Sequence, residues 1–221
     1  MIITKKNLIF IHIPKTGGNS ISHILKKYSD DKLIKHRPYS DLINTFEIKG
    51  DVTKTKHDKL EDYYKILKDK IFNFKVFCVV RDPLERLLSH YYMPDLNVHP
   101  NFILRKINHF TIKRFNKFFF GSKYYKYKKP KFDIQKFRKI INTADNQKSF
   151  ITIKNEVPKN VKILKFKNFE IELKNFCREN NIVYNNFHVN KGGQYTKFDL
   201  NINELKKEIT NSKHFVDYEL L

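Results

Sequence analysis

The sequence predicts an α/β fold in which helices flank a mostly parallel central sheet. Three continuously apolar segments, at 8–13, 75–80 and 161–166, are typical of strands that are buried on both faces. Each segment leads into a stretch with apolar residues at helical spacing, so strands and helices alternate along the chain. Parallel strands need such crossover connections. Because the chain has 221 residues and no internal repeat, we expect a single domain over residues 1–221.

The helices follow from the apolar spacing after each strand. The first is predicted to begin at position 19 or 20, and another covers 59–70. The strands at 75–80 and 161–166 each lead into a further helix. Residues 94–130 have the least regular pattern, and we expect them to form excursions from the sheet.

The net charge of +21 comes from 44 Lys and Arg residues against 23 Asp and Glu residues. Such an excess suits a polyanionic partner, which would be a nucleic acid, an acidic glycan or a phosphorylated cofactor. The alternative is a solvated surface, because lysines occur along the whole length. The densest basic-aromatic stretch, GSKYYKYKKPK at 121–131, is expected either to dock an acidic glycan or to be a solvated insertion.

Cysteine content and hydropathy favour a cytoplasmic protein. Cys78 and Cys177 fall in apolar periodic segments and are interpreted as small core residues, not as a disulfide or a metal site. No apolar run approaches the roughly 20 residues of a membrane span. The first 15 residues lack a small-residue cleavage site, so no signal peptide and no membrane anchor are expected.

The segment after the first strand reads PKTGGNS at 14–20. In an open α/β sheet, ligands bind beyond the carboxyl ends of the strands. The free N–H groups and the dipole of the following helix favour an anion there. Gly17 and Gly18 allow a close backbone approach, and Lys15 adds a positive charge. This combination predicts a site for a phosphate-like group.

Two further features define this loop. Ser20 or Thr16 offers a hydroxyl group to the anion. The loop is not a Walker A motif, because Lys15 precedes the glycines instead of following them. The alternative is an ordinary strand-to-helix turn with a surface lysine.

A second anion site is predicted in FCVVRDPLERLLSHYY, at 77–92. Asp82 suits the N-cap of the helix and Pro83 its first position, which places Arg81 at the end of the strand. A guanidinium and the hydroxyl of Ser89, two turns later, suit a phosphate monoester. The alternatives are a structural ion pair between Arg81 and Asp82 or Glu85, and a neutral helix-surface role for the serine.

The two motifs resemble those of sulfotransferases that use 3′-phosphoadenylyl sulfate (PAPS). PKTGGNS looks like their 5′-phosphosulfate loop, and VRDPLER at 80–86 with Ser89 resembles their 3′-phosphate motif. The carbohydrate branch, Golgi-type and bacterial, with the heparan sulfate 2-O- and 6-O-sulfotransferases, is the most similar. The resemblance implies a P-loop-like three-layer fold. Where that branch often has Arg-Phe-Glu, this chain has Lys165-Phe166-Lys167.

The resemblance implies sulfuryl transfer from PAPS to an acceptor hydroxyl by in-line displacement, without a metal. Lys15 and the amides of 16–20 would stabilise charge on the leaving 5′-phosphate. Arg81 and Ser89 would hold the 3′-phosphate. The implied cofactor contacts in the first loop are Lys15, Thr16, Gly17, Gly18, Asn19 and Ser20. Weaker similarities add adenine or 3′-phosphate contacts from Gln147, Asn190, Lys191 and Gly192.

A general base should deprotonate the acceptor hydroxyl. His57 is the predicted base, because the resembling branch often has a histidine before the helix that leads into the second strand. His36 is the competitor, and Glu47 and Asp51 are further candidates. His12 lies inside the first strand and is expected to pack or to support the loop.

The expected acceptor is a glycan or another hydroxyl compound, with anionic acceptors included. No nucleic acid is expected as a partner. Two alternatives from other classes remain: a nucleic-acid-binding module, which rests on charge alone, and an atypical small-molecule kinase, which would bind ATP with Mg²⁺.

Overall fold

The computed structural model describes residues 1–36, 45–92, 132–185 and 201–221. The described strands are β1 (Ile2–Ile3), β2 (Leu8–Ile11), β3 (Lys32–Lys35), β4 (Phe46–Lys49), β5 (Lys75–Val80) and β6 (Val161–Lys165). The described helices are α1 (Gly18–Leu25), α2 (Leu60–Leu67), α3 (Pro83–Tyr91), α4 (Ile134–Thr143), α5 (Phe169–Glu179) and α6 (Ile202–Thr210).

The central sheet has the strand order β1-β2-β5-β6. β2, β5 and β6 are parallel, and the short β1 is antiparallel to β2. β3 and β4 form a separate antiparallel hairpin. The predicted α/β fold with a mostly parallel sheet between helices is therefore confirmed.

The register of the parallel strands brings their carboxyl ends to one edge of the sheet. Ile11 of β2 pairs with Cys78 of β5, and Val80 of β5 pairs with Lys165 of β6. The segments that follow β2 and β5 therefore leave the sheet side by side, since neighbouring strands lie only about 4.8 Å apart.

The strands β2 and β5 are buried on both faces of the central sheet. Successive residues of a strand point to opposite sides, so each strand contributes to two apolar clusters. Phe10 packs in one cluster with Phe77 and Phe176. Ile11 packs in a second cluster with Cys78 and with residues of α2. A third apolar cluster joins α3, α4 and α6. This layered burial explains why β2 and β5 have continuous apolar sequences instead of alternating ones.

The predicted cap of the helix after β5 is confirmed. The carboxylate of Asp82 accepts a hydrogen bond from the backbone N–H of Glu85 (3.0 Å), and Pro83 occupies the first turn of α3. Both cysteines are buried and unpaired, as the sequence predicts.

Some predicted boundaries differ from the structure. The helix predicted at 59–70 ends at Leu67, where the chain tightens into a 3₁₀ segment, Lys68–Asn73. The strand at 161–166 was predicted to be buried on both faces, and this is wrong for most of its length. Only Leu164 of β6 is buried, because β6 lies at the edge of the described sheet and pairs only with β5. The predictions for 94–130, 121–131 and 190–192 fall largely or wholly outside the described residues.

We expect Phe77→Ala to destabilise the fold by about 3–5 kcal/mol, because it empties a fully buried site between two other rings. The Phe77 ring centroid lies 5.0 Å from that of Phe10 and 4.1 Å from that of Phe176. Urea denaturation followed by circular dichroism measures the effect. Phe72→Ala is the matched control, because Phe72 is 49 % exposed, and it should cost less than about 1 kcal/mol. Equal losses in the two variants would contradict this description of the core.

Candidate active site

The two predicted anion sites lie next to each other at the carboxyl edge of the sheet. Arg86 lies on α3, the helix that carries Ser89, and its Nε donates a hydrogen bond to the Pro14 carbonyl of the loop (3.0 Å). Burial lowers the pKa of Lys15, and the neighbouring charge of Arg81 lowers it further. The structure thus brings Lys15 and Arg81 into one electrostatic environment.

The loop at 14–20 is a turn with two left-handed residues. Lys15 has φ of 70° and Gly17 has φ of 85°. The Thr16 hydroxyl donates to the Ile13 carbonyl (2.9 Å), and the Ser20 backbone N–H donates to the Gly17 carbonyl (3.1 Å). The Thr16 hydroxyl therefore holds the turn, and the anion contact predicted for this residue rests on its backbone N–H.

Gly18 is required for a close approach and not for its dihedral angles. A Cβ atom at this position would lie 2.0 Å from Cδ2 of His12. His12 is buried on the strand side of the loop, as the sequence predicts for a packed histidine. The imidazole thus packs against Gly18 at the start of α1. Asn19, the next residue of that turn, is half-buried.

Positive charge is concentrated around the loop. The pKa of Lys15 is lowered by burial, then by Arg81, then by Lys56. Lys56 lies 4.8 Å from the ring centroid of Phe46, and burial lowers its pKa as well. Burial lowers both lysine pKa values, although the charge of Glu47 raises that of Lys56, and a bound anion would stabilise the charged forms of the two lysines.

His57 lies beside the loop with a defined tautomer. Its Nδ1 is 2.9 Å from the backbone carbonyl of His12, and the two imidazole centroids are 4.7 Å apart. Since a carbonyl oxygen only accepts, Nδ1 carries the proton and Nε2 keeps its lone pair. Burial lowers the pKa of His57 and outweighs the hydrogen bond to His12, which raises it. The neutral imidazole can therefore accept a proton at Nε2.

The other candidate bases are placed differently. The Glu47 carboxylate on β4 accepts a hydrogen bond from the backbone N–H of Lys56, and its charge raises the pKa of His57. His36 is exposed directly after β3. Asp51 is also exposed, and its backbone carbonyl accepts from Lys54 Nζ (2.8 Å). Of these three, Glu47 is the one in electrostatic contact with His57.

Arg81 is held at both its main chain and its side chain. The Gln147 side chain accepts from the Arg81 backbone N–H (2.9 Å) and donates to its carbonyl (2.7 Å). The guanidinium carbon lies 4.5 Å from the ring centroid of Phe166, and Nε is paired with the Glu85 carboxylate at 3.2 Å. The ion pair considered as an alternative thus exists. Ser89 is buried two turns further along α3.

A buried carboxylate near the C-terminus supports this arrangement. Asp217 is fully buried and accepts from the backbone N–H groups of Gln147 and Lys148, each at 2.9 Å. The backbone N–H of Gln147 is therefore held by Asp217, and its side-chain amide is bonded to the Arg81 main chain. Its observed contacts make it a support for Arg81, whereas a direct contact with a nucleotide stays a prediction.

Comparison with known proteins decides the family. A family model described as the sulfotransferase family matches residues 1–158. The chain belongs to the sulfotransferase family. The match includes both anion loops, His57 and Gln147, whereas β6 and Asp217 lie beyond it. No curated protein and no solved structure gave a match.

Three site residues of this sulfotransferase were missed from the sequence. Arg86 was interpreted only as part of the VRDPLER motif. Phe166 was noted only within the triplet Lys165-Phe166-Lys167, whose lysines depart from the family pattern. His90 is half-buried on α3, and its Nε2 has no hydrogen-bond partner. Burial lowers the pKa of His90 to about 3, and the charges of Arg86 and Lys15 act in the same direction. For Arg86 and His90, the available sequence signal was a polar residue on a partly apolar helix.

Two features are absent from residues 1–36, 45–92, 132–185 and 201–221 of the sulfotransferase. Within these ranges, no group of three or more His, Cys, Asp or Glu side chains is placed to hold a metal ion. No helix in the same ranges is both long enough and apolar enough to cross a membrane.

The sulfotransferase should lose stability as the pH falls below about 6.5. Burial is the main cause of the lowered pKa values of His12, His57 and His90. In the unfolded chain these groups protonate near pH 6.5, so the unfolded state binds more protons and gains stability in acid. Urea denaturation at pH 7.5, 6.0 and 5.0 measures the slope.

The variant for this test is His90→Gln. Removing the half-buried imidazole should flatten the slope by up to about 1.4 kcal/mol per pH unit. A wild-type free energy of unfolding that is constant from pH 7.5 to 5.0 would contradict the description of these buried histidines.

Proposed function

We propose that this sulfotransferase moves a sulfuryl group from PAPS to a hydroxyl group of a carbohydrate. The observation that supports the proposal is the adjacency of the two anion sites, with Arg86 on α3 bonded to Pro14 of the loop. PAPS carries a phosphosulfate at one end of its ribose and a 3′-phosphate at the other. Two cationic sites at neighbouring strand ends suit that pair of anions.

The residues present fit this donor. The backbone N–H groups of 16–20 and the Lys15 ammonium would receive the 5′-phosphosulfate. Arg81 and Ser89 would receive the 3′-phosphate, with Gln147 keeping the arginine main chain in place. Asn190, Lys191 and Gly192 remain proposed contacts from outside the described residues. The charges of Arg81 and Lys56 both act on Lys15, and such a concentration of positive charge suits a nucleotide with two anionic groups.

Catalysis would rest mainly on electrostatic stabilisation. The donor supplies a sulfuryl group whose bond to the 5′-phosphate breaks as a bond to the acceptor oxygen forms. Negative charge then grows on the phosphate oxygen. The Lys15 ammonium group and the N–H groups of the turn would stabilise that charge.

His57 would act as the base. Its Nδ1–H is committed to the His12 carbonyl, so Nε2 would take the proton of the acceptor hydroxyl as the oxygen–sulfur bond forms. A lowered pKa keeps this nitrogen unprotonated at neutral pH. Glu47 is the nearest alternative among the described residues, because its charge acts on the same imidazole.

The whole chain is proposed to form one catalytic domain, residues 1–221. β6 and Asp217 lie beyond the family match, yet β6 completes the described sheet and Asp217 binds the backbone of Gln147. The acceptor is proposed to be a glycan, with anionic glycans suited by the surplus of cations. No nucleic acid is proposed as a partner.

Adenosine 3′,5′-bisphosphate should stabilise the protein without added metal. At about 100 times its dissociation constant it should raise the thermal midpoint by about 5–10 °C. ATP with Mg²⁺ and a labelled oligonucleotide serve as arms for a kinase and for a nucleic-acid-binding module. Arg81→Ala should remove most of the shift. Arg138→Ala, which alters a surface arginine paired with Glu208, should keep it. A shift with ATP and Mg²⁺ alone would refute the proposal.

His57→Ala should abolish sulfuryl transfer while nucleotide affinity stays within about twofold, because the base acts on the acceptor and not on the donor. Radiolabelled sulfate transfer from PAPS to a glycan panel measures turnover, and calorimetry with adenosine 3′,5′-bisphosphate measures binding. His36→Ala is the matched control and should retain activity. Full activity in His57→Ala would contradict this role, and the general base would then be Glu47 or His36.

A further inference from the structure

Arg86 is the largest fully buried side chain among the described residues, with 1 % of its surface exposed. It projects from the middle of α3. Its Nε donates to the carbonyl of Pro14, 72 residues earlier in the chain. The bond therefore joins the helix that carries Ser89 to the residue directly before Lys15.

Burying the guanidinium of Arg86 costs free energy. It forms no ion pair with any described carboxylate, and its buried Nη1 has no hydrogen-bond acceptor. Burial lowers its pKa to about 10, against the opposing charges of Asp217 and Asp145. An apolar side chain of similar volume would avoid this cost. Stability alone therefore does not account for a guanidinium at this position.

The backbone by itself does not hold the two anion sites together. The parallel pairing of β2 with β5 ends at Ile11 and Cys78, and two residues separate each of these from Pro14 and Arg81. Arg81 is fixed from the other side by Gln147. Beyond the end of the strand ladder, the hydrogen bond from Arg86 to the Pro14 carbonyl connects the loop to α3.

We propose that Arg86 is a positioning residue that fixes the distance between the loop at 14–20 and the Arg81–Ser89 site. This inference rests on the proposed function. A nucleotide with phosphates at both ends then engages the second site at a high effective concentration once the first is filled. A mononucleotide engages only one site and does not depend on the distance between them.

The test compares three ligands by isothermal titration calorimetry, with competition titrations for the weak ones. They are adenosine 3′,5′-bisphosphate, 5′-AMP and 3′-AMP. In Arg86→Met, the affinity for the bisphosphate should fall by about tenfold or more, whereas the affinities for both mononucleotides should stay within about twofold. Arg138→Met is the matched control, because it alters a helical arginine in a surface ion pair, and it should change none of the three.

Each outcome is decisive. Equal losses for all three ligands in Arg86→Met would show a merely structural role, and unchanged bisphosphate affinity would show no role; either overturns the inference. If Arg86→Met does not fold, Arg86→Lys keeps the buried charge but not the guanidinium geometry, and it should show the same selective loss at smaller size. A wild-type protein that does not prefer the bisphosphate to the mononucleotides would overturn the proposed function itself and the inference with it.

Discussion

The parallel pairing of β2 with β5 is the constraint on which the site depends. Two strands in register end at the same edge, so the segments that follow them emerge about one strand spacing apart. The turn at 14–20 and the start of α3 are thereby neighbours, although more than 60 residues separate them in the chain. The apolar residues buried on both faces of these strands hold the pairing. Beyond the paired residues, the hydrogen bond from Arg86 to Pro14 connects the loop to α3.

Above the strand ends, each charged group is held by a neighbour that does not itself need to touch a ligand. The Gln147 side chain is hydrogen-bonded to the main chain of Arg81, and the Asp217 carboxylate accepts a hydrogen bond from the Gln147 backbone N–H. The His12 carbonyl selects the tautomer of His57, while its ring supports Gly18. These contacts favour a preformed site, in which cations and N–H groups converge before any anion arrives.

Much of this arrangement could be predicted because it depends on local chemistry. The continuous apolar runs of β2 and β5, the Asp82 cap and the glycines of the turn each follow from a few adjacent residues. β6 was misjudged because a run such as VKILKF is equally compatible with a buried strand and with an edge strand. Only the number of pairing partners separates the two. Gln147 and Arg86 were missed as supports because their partners are 66 and 72 residues away.

The fold class, the two loops and the residue types that suit an anion follow from the sequence alone, because periodicity, capping and charge are local properties. The tertiary structure decided which of these residues meet. It placed His57 against the His12 carbonyl, left His36 exposed after β3, and buried Arg86 between the loops. Such contacts depend on how distant segments pack, and packing is set by the summed burial of many side chains, which no short stretch of sequence contains.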